Sequence, residues 1–538
     1  MFVVSAEEMR RADHVASAQL GIPSLELMER AGEAVARRAA GLVRGPGPVL
    51  VVSGPGNNGG DGLVAARKLR ARGFRVGVVA PSLEFRGDAE VNYQRALAAG
   101  LEVRKWEGGD LPRAPVAVDS LLGTGLSGQV RSPYLEMIRA LNDLAAGGSR
   151  VLSVDMPSGM EADSGLPLPE AVRAVGTITL GRLKLGLLNP EARQWSGTIW
   201  LDTLGIPALA VERAGCRLRM PLPDTIDGWL KRPEPLAHKG SMGHVMIVGG
   251  SSRYRGAPVL TALGALRAGA GLVTVASPCR GLDLPPEAMS VPLPRDMEGG
   301  AERWAHTRLG DSGGHIGAWV VGPGLGGGPG ARRLALDLMG RLAAPGVMDA
   351  DGLNALARCS ASLKEARSSS RDRWLLTPHP GEMARLLGST VGEVQGDRLG
   401  AALEAALLSG QVVMLKGAGT ITASPEGDLW INPTGNPLLA SGGTGDVLAG
   451  AAGAFLSRGL DPVKAGVVSA FLQGLAADAL AARGLGPGVG AGRLAEWLPR
   501  ASGWTGGGGE LRLPEDHLLV TLKGGTDGYD TSPELGRG

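Results

Sequence analysis

Between Glu7 and Arg38, apolar residues recur at three- and four-residue steps: Met9, Ala12 and Val15, then Leu27, Ala31, Ala34 and Val35. That period predicts two amphipathic helices broken at Gly21-Ile22-Pro23. From Pro48 onward the pattern becomes short continuous apolar runs, each followed by glycines or small polar residues. Pro48–Ser53, Arg75–Ala80, Pro115–Val118, Val151–Val154 and Thr177–Leu180 read as strands buried on both faces, with a helix over Gly62–Arg72 after the first. Such alternation predicts an α/β domain with a parallel sheet, over residues 1–221.

Four prolines, Pro221, Pro223, Pro233 and Pro235, mark a connection over 222–235. The alternation then resumes with strands at His244–Val248, Leu272–Ala276, Ala318–Val321, Gly346–Asp349 and Val412–Lys416 and helices at Val259–Ala268 and Ala331–Leu342. This predicts a second α/β domain over 236–500. Residues 501–538 are glycine-rich and aperiodic; they read as a partly disordered tail, with Leu518–Leu522 able to pair as an edge strand. The most apolar stretch, Asp446–Arg483, is interrupted by Arg458, Asp461 and Lys464, so no membrane span is expected.

Fifty-five basic against 53 acidic residues leave a charge of +2, which lacks the electrostatic footprint of a nucleic-acid binder and points to a small-molecule partner. Cys216, Cys279 and Cys359 are too far apart for a CxxC site and odd in number. With a charged N-terminus lacking an apolar signal region, they favour the cytoplasm. A homo-oligomer is expected.

Chemistry concentrates where strands end. Ser53–Gly62, SGPGNNGGDG, satisfies GxGxxG between a strand and a helix, the context in which a helix N-terminus receives a phosphate. No acidic residue closes the second strand, which disfavours an ordinary dehydrogenase; a ligand-free glycine turn is the simpler alternative. Asp119 and Asp155 end two further strands and should meet Asn57 and Asn58 in one crevice. Oxygens of Asn58, Asp119 and Ser158 suit a hard cation, although an isolated aspartate after a strand is more often a helix N-cap.

NNGGDG at Asn57–Gly62, DSLLGTGLSGQ at Asp119–Gln129, VDMPSG at Val154–Gly159, LKLGLL at Leu183–Leu188 and LMERAG at Leu27–Gly32 together resemble the NAD(P)H-hydrate epimerases, which interconvert the C6 epimers of hydrated NADH or NADPH. The resemblance covers 1–221 and implies a Rossmann-like three-layer α/β domain. It implies that Asn57, Asn58, Gly59, Gly60 and Asp61, then Gly123, Thr124, Gly125, Leu126, Ser127, Gly128 and Gln129, and Asp155 contact the hydrate. It also implies that Asn58, Asp119 and Ser158 bind K⁺. Epimerisation beside N1 asks for a paired acid and base. Asp155 and Lys184 are the candidates, Asp155 exchanging the hydroxyl proton and Lys184 assisting; a solvated strand-end lysine is the alternative for Lys184.

In the second domain, glycines precede a helix of small residues in NPLLASGGTGDVLAGAAGAFLSRG, Asn436–Gly459. Gly442, Gly443 and Gly445 form a candidate anion hole, and Asp446 can take a proton from an attacking hydroxyl. No GxxxxGK[ST] occurs. HKGSMGHVMIVGGSSRYRGAP at His238–Pro258, GPGLG at Gly322–Gly326, DADGLN at Asp349–Asn354, TPHPGEMARLLG at Thr377–Gly388 and LKGAGT at Leu415–Thr420 resemble the NAD(P)H-hydrate dehydratases of the ribokinase-like superfamily.

That resemblance implies hydrate contacts at Ala257, Gly324, His379 and Asp446, and nucleotide contacts at Lys416, Gly417, Ala418, Gly419, Thr420 and Gly445. It further implies ADP as donor, accompanied by Mg²⁺. Phosphorylation of the C6 hydroxyl and loss of phosphate would then restore the ring. A polar insertion at Ser368–Arg373 departs from the pattern. The competing reading is a small-molecule kinase for a sugar or vitamin precursor, fused to a non-catalytic nucleotide-binding domain.

Overall fold

The computed structural model describes residues 1–44, 47–126, 128–230, 233–295, 316–358 and 374–505. It divides into two compact units. Ser127, the Ser368–Arg373 insertion and the 506–538 part of the tail, with its expected edge strand, lie outside the described residues.

In the first unit, seven parallel strands run in the spatial order Val103–Lys105, Val76–Ala80, Val49–Ser53, Val116–Ser120, Arg150–Val154, Gly176–Leu180, Thr198–Asp202. Side chains alternate across a strand, so Val49 and Val51 join one core with helices Ser24–Leu42 and Asn57–Ala71. Leu50 and Val52 join another with helix Tyr134–Ala146. The expected three layers follow from this alternation. The order reverses between Val49–Ser53 and Val116–Ser120, and a crevice opens beyond the carboxyl ends of strands at such a switch point.

The second unit carries a ten-stranded sheet: Leu218–Arg219, Leu429–Ile431, Ile421–Ala423, Val412–Leu415, Trp374–Leu376, Gly346–Met348, Ala318–Val321, His244–Val248, Leu272–Ser277, Ala288–Pro292. Among the described residues, only the pairings made by Ile421–Ala423 in this sheet are antiparallel. Val245 and Ile247 face one core, Met246 and Val248 the other. Helix Pro462–Ala481 is long and apolar enough to cross a membrane, but 89% of its apolar window is buried against this sheet. It is a core helix.

Three expected boundaries change. Within 222–235, Pro223–Trp229 is a helix with Pro223 in its first turn, where the missing N–H costs nothing. Leu218–Arg219 already pairs with Leu429–Trp430 of the second sheet, so that unit begins before residue 236. At its far end helix Leu498–Thr505 runs past residue 500 and buries Ala501 completely.

Candidate active sites

The helix after the first strand starts at Asn57, not Gly62, so Asn57–Asp61 form its first turn. Gly56 precedes it without a side-chain cap, leaving amides directed at the crevice. Two of the glycines are demanded by packing: a Cβ on Gly54 would lie 1.9 Å from the Leu121 carbonyl oxygen, and one on Gly59 1.8 Å from that of Gly54. A Cβ on Gly56 would meet nothing within 4 Å.

Across the switch point Asn58 donates from Nδ2 to the Leu122 carbonyl at 2.9 Å, while its Oδ1 is buried with no hydrogen-bond partner. Gly123 lies against this side chain, its Cβ position 3.1 Å from Asn58 Cβ. Asp119 is fully buried beneath, and burial raises its proton affinity against the pull of its donors. Those donors are Ser153 Oγ at 2.8 Å, the Ser158 amide at 2.9 Å, Ser158 Oγ at 2.5 Å and the Leu121 amide at 3.3 Å. Asn58, Asp119 and Ser158 therefore share one locus. Thr124, Gly125, Leu126, Gly128 and Gln129 form the loop leaving the Val116–Ser120 strand, with Gly125, Gly128 and Gln129 exposed.

Asp155 has φ +66°, a left-handed conformation that aspartate tolerates better than most residues. Its Oδ1 accepts from the Leu180 amide at 3.1 Å and from Lys184 Nζ. Lys184 is only 1% exposed and also donates to the Leu180 carbonyl at 2.5 Å, so it is no solvated strand-end lysine. Pairing of Val4 with Lys184 brings the N-terminal helix Ala6–Ala18 alongside. Asp13 on that helix keeps solvent exposure, yet desolvation raises its carboxyl to about 6, with Asp155 adding and Lys184 and Arg182 opposing. Asp61 is raised well above the usual range, first by burial and then by Asp155 and Asp13. Sequence reasoning missed Asp13, whose only signal was a polar residue on an otherwise ordinary amphipathic helix.

In the second unit, helix Thr444–Ser457 begins after Gly443, which has φ +88° and supplies no side-chain cap. Asp446 sits in its first turn. Burial raises its carboxyl to about 7, with Asp349, Asp351 and Glu382 adding and Lys416 opposing. Lys416 follows the Val412–Leu415 strand; its Nζ lies 2.6 Å from Asp349 Oδ1 and 3.5 Å from the Cβ position of Gly445. Lys416, Asp446 and the Gly442–Gly445 turn are thus brought together. Residues Lys416–Thr420 form the hairpin loop between antiparallel strands, with Gly417 and Gly419 at φ +137° and +62°. Arg398 braces it, donating to the Leu415 and Lys416 carbonyls at 3.3 Å.

The Gly324 Cβ position lies 3.0 Å from Ala257 Cβ, so these two expected hydrate contacts are adjacent. His379 caps helix Pro380–Leu387: its Nδ1 accepts from the amides of Gly381 at 3.0 Å and Glu382 at 3.3 Å. Asp349, Glu382 and Arg398 were not singled out from sequence. Asp349 and Glu382 lie inside the quoted DADGLN and TPHPGE segments; Arg398 had no signal.

The family described as NAD(P)H-hydrate dehydratase matches residues 245–500, and that described as YjeF-related protein N-terminus matches 24–186. The bifunctional NAD(P)H-hydrate repair enzyme Nnr of Thermofilum pendens is 38% identical over 515 residues, covering 93% of this chain and 96% of the relative. That of Moorella thermoacetica is 38% identical over 518 residues with the same coverages. An ADP/ATP-dependent NAD(P)H-hydrate dehydratase from Bacillus subtilis, crystallised with ATP and Mg²⁺, is 30% identical, with a TM-score of 0.46 over 53% of this chain and 98% of its own. Because the Nnr likeness covers 93% of this chain and so takes in both units, the chain belongs to the family of bifunctional NAD(P)H-hydrate repair enzymes.

Proposed function

We propose that this chain repairs hydrated NADH and NADPH, the first unit epimerising the hydrate at C6 and the second dehydrating the S epimer with ADP. The observation that carries the reading is that each unit has its own carboxylate and lysine beside an uncapped helix start, Asp155 with Lys184 and Asp446 with Lys416.

In the first unit Asp155 accepts the C6 hydroxyl proton as the C6–N1 bond breaks, its electron pair going to N1 and C6 becoming a carbonyl carbon; N1 then adds back to the other face of that carbon and Asp155 returns the proton to the oxygen, while the Lys184 ammonium stabilises the carboxylate. The hydrate lies against Asn57–Asp61 and Gly123–Gln129, its phosphates toward the open amides after Gly56. Bound K⁺ supplies a fixed positive charge. Asn58 fits it best, since a buried amide oxygen without a donor is satisfied by a cation; the Ser158 hydroxyl and the Asp119 carboxylate complete an oxygen set.

In the second unit Asp446 takes the C6 hydroxyl proton as that oxygen attacks the terminal phosphorus of ADP, and AMP departs with the electrons of the broken P–O bond. Amides of Gly442, Gly443 and Gly445 and the Lys416 ammonium receive the phosphoryl charge. The C6–O bond then breaks, phosphate leaves with the electron pair, and loss of the C5 proton restores the double bond. Ala257, Gly324 and His379 hold the hydrate; Lys416–Thr420 holds the nucleotide. Among the described residues no cluster of three or more His, Cys, Asp or Glu side chains is placed to cage a metal, so Mg²⁺ belongs with the nucleotide phosphates. Cys216 and Cys279 are free thiols, in keeping with a cytoplasmic enzyme.

The test is to incubate the purified protein with mixed NADH-hydrate epimers, K⁺ and Mg²⁺, with ADP or ATP in parallel, and to follow NADH absorbance. Complete nucleotide-dependent recovery of both epimers is expected. A persisting phosphorylated product would instead favour a kinase.

A further inference from the structure

We propose that Arg332, Arg333 and Arg358 form a phosphate site in the second unit that receives the 2′-phosphate of NADPH hydrate, so that this unit favours NADPH hydrate over NADH hydrate. The inference deepens the dehydratase reading and rests on it.

The three arginines come from two helices. Arg332 and Arg333 lie near the start of helix Pro329–Arg341, and Arg358 follows the last residue of helix Asp351–Ala357. With Pro329, Leu336 and Ala355 they line one cavity of about 200 Å³. A cavity that encloses a whole small molecule is larger, ~300–1,000 Å³, so this one suits a single substituent. Among the described residues Arg332 and Arg358 pair with no carboxylate, and Arg333 meets only Asp337, at 3.7 Å, with its own side chain still 63% exposed. Three cations sharing one cavity repel one another, and packing gives no reason to gather them; an anion of high charge does.

The cavity adjoins the loop that carries Gly324. From Gly324, beside Ala257, the chain runs to Gly326, whose amide donates to Asp351 Oδ2 at 2.8 Å. Asp351 in turn is close enough to Asp446 to raise its proton affinity, so this part of the loop borders the reacting end. The Cβ position of Gly327 then lies 3.8 Å from Arg358 Nη1, and Gly328 precedes helix Pro329–Arg341 without a side-chain cap. Three residues span at most ~11 Å, so Gly324 and the arginines are separated by less than the length of a dinucleotide. A hydrate with its ring at Gly324 and Asp446 carries its adenosine away from C6, and the 2′-phosphate branches from that remote arm.

The pyrophosphate lies within the dinucleotide and is common to both hydrates. The 2′-phosphate is a terminal branch with three free oxygens and a charge near −2. Three guanidinium forks meet such a group from separate sides, and arginine is the residue that accommodates it in other dinucleotide sites.

The test measures kcat and KM with ADP for S-NADPH hydrate and S-NADH hydrate in wild type, Arg332→Gln, Arg358→Gln and Arg358→Lys. Each protein is also titrated calorimetrically with adenosine 2′,5′-bisphosphate, 5′-AMP and inorganic phosphate. Wild type should show a KM about tenfold lower for NADPH hydrate, and each glutamine variant should raise that KM about tenfold with kcat and the NADH-hydrate constants unchanged. Affinity for the bisphosphate should fall with it, affinity for 5′-AMP should not, and Arg358→Lys should recover part of the loss as a point charge. Epimerase activity of the same preparations reports that the chain is intact. Equal losses on both hydrates would assign the cavity to the pyrophosphate, a raised KM for ADP would assign it to the donor, and inorganic phosphate binding as tightly as the bisphosphate would mark a free-anion site; each overturns the proposal. Turnover of both hydrates without preference overturns it too and leaves the dehydratase reading standing. A wild type that recovers neither hydrate, yet binds the bisphosphate through Arg358, overturns that reading and supports the phosphate site.

Discussion

Lys184 reaches Oδ1 of Asp155 from a strand that is almost wholly buried, so the ion pair is partly shielded from water while Asp155 itself is held at φ +66°. Among the described residues no donor meets Asp155 Oδ2, the oxygen to which the proposed reaction assigns the hydroxyl proton. Asp155→Asn should reduce epimerisation by a factor of about 10²–10⁴, the usual scale of general-base loss. Dehydration of pure S hydrate should be unchanged. Lys184→Met should lose epimerisation as well and also lower stability by roughly 3–5 kcal/mol, because it strands a shielded carboxylate. Assays on separate epimers with thermal melts check both; loss of dehydration in Asp155→Asn would contradict independent sites.

Asp446 carries the opposite linkage from an ordinary surface carboxylate. Its folded affinity, raised to about 7, exceeds that of the unfolded chain, so between pH 4 and 7 the folded state keeps a proton the unfolded state has lost. Stability from this group therefore declines as pH rises through that window. Asp446→Asn should melt higher than wild type at pH 8, by on the order of 1–3 kcal/mol, and equally at pH 4. Dehydration should be lost while epimerisation persists. An active-site carboxyl that stabilises when removed is the signature of a group kept for chemistry.

Wild-type dehydration should itself fall as pH drops through about 7, where Asp446 takes up its proton. Epimerisation, which does not pass through Asp446, should not share that limb. Initial rates of the two reactions on one preparation between pH 5.5 and 8.5 check this.

Much of this was legible in the sequence because both sheets are buried on two faces, which makes strands such as Val49–Ser53 and His244–Val248 continuous apolar runs. Glycine-rich turns then marked the strand ends. What escaped was decided by tertiary pairing. Leu218–Arg219 is a two-residue strand whose only signal is its partner, and Pro223–Trp229 hid inside a proline-rich segment that reads equally as linker. Asp13 and Glu382 gain meaning from the groups packed around them, not from local spacing.

The Asn58 amide oxygen, buried without a donor, yields a salt-specific prediction. K⁺ should raise both the epimerase rate and the melting temperature of the first unit above their values in Na⁺ at equal ionic strength, since an ion that binds only the folded state stabilises it by mass action. Asn58→Ala should abolish that difference. Melts in matched KCl and NaCl series check it; an unaltered K⁺ response would remove Asn58 from the cation site.

Glycines of the first helix turn separate by what surrounds them. Gly59 has the Gly54 carbonyl oxygen 1.8 Å from where its Cβ would stand, so Gly59→Ala must displace backbone. It should destabilise the unit at or beyond the upper end of the ~1–3 kcal/mol seen for overpacking. Gly56 has φ −101° and nothing within 4 Å of its Cβ position, so alanine fits there without strain. Its methyl would nonetheless stand beside the open amides of the helix start. Gly56→Ala should keep the wild-type melting temperature and raise the epimerase KM for the hydrate about tenfold, ~1.4 kcal/mol of binding. Steady-state kinetics with melts on both variants distinguish a turn shaped only by packing, which predicts unchanged KM in Gly56→Ala, from one that also receives a phosphate.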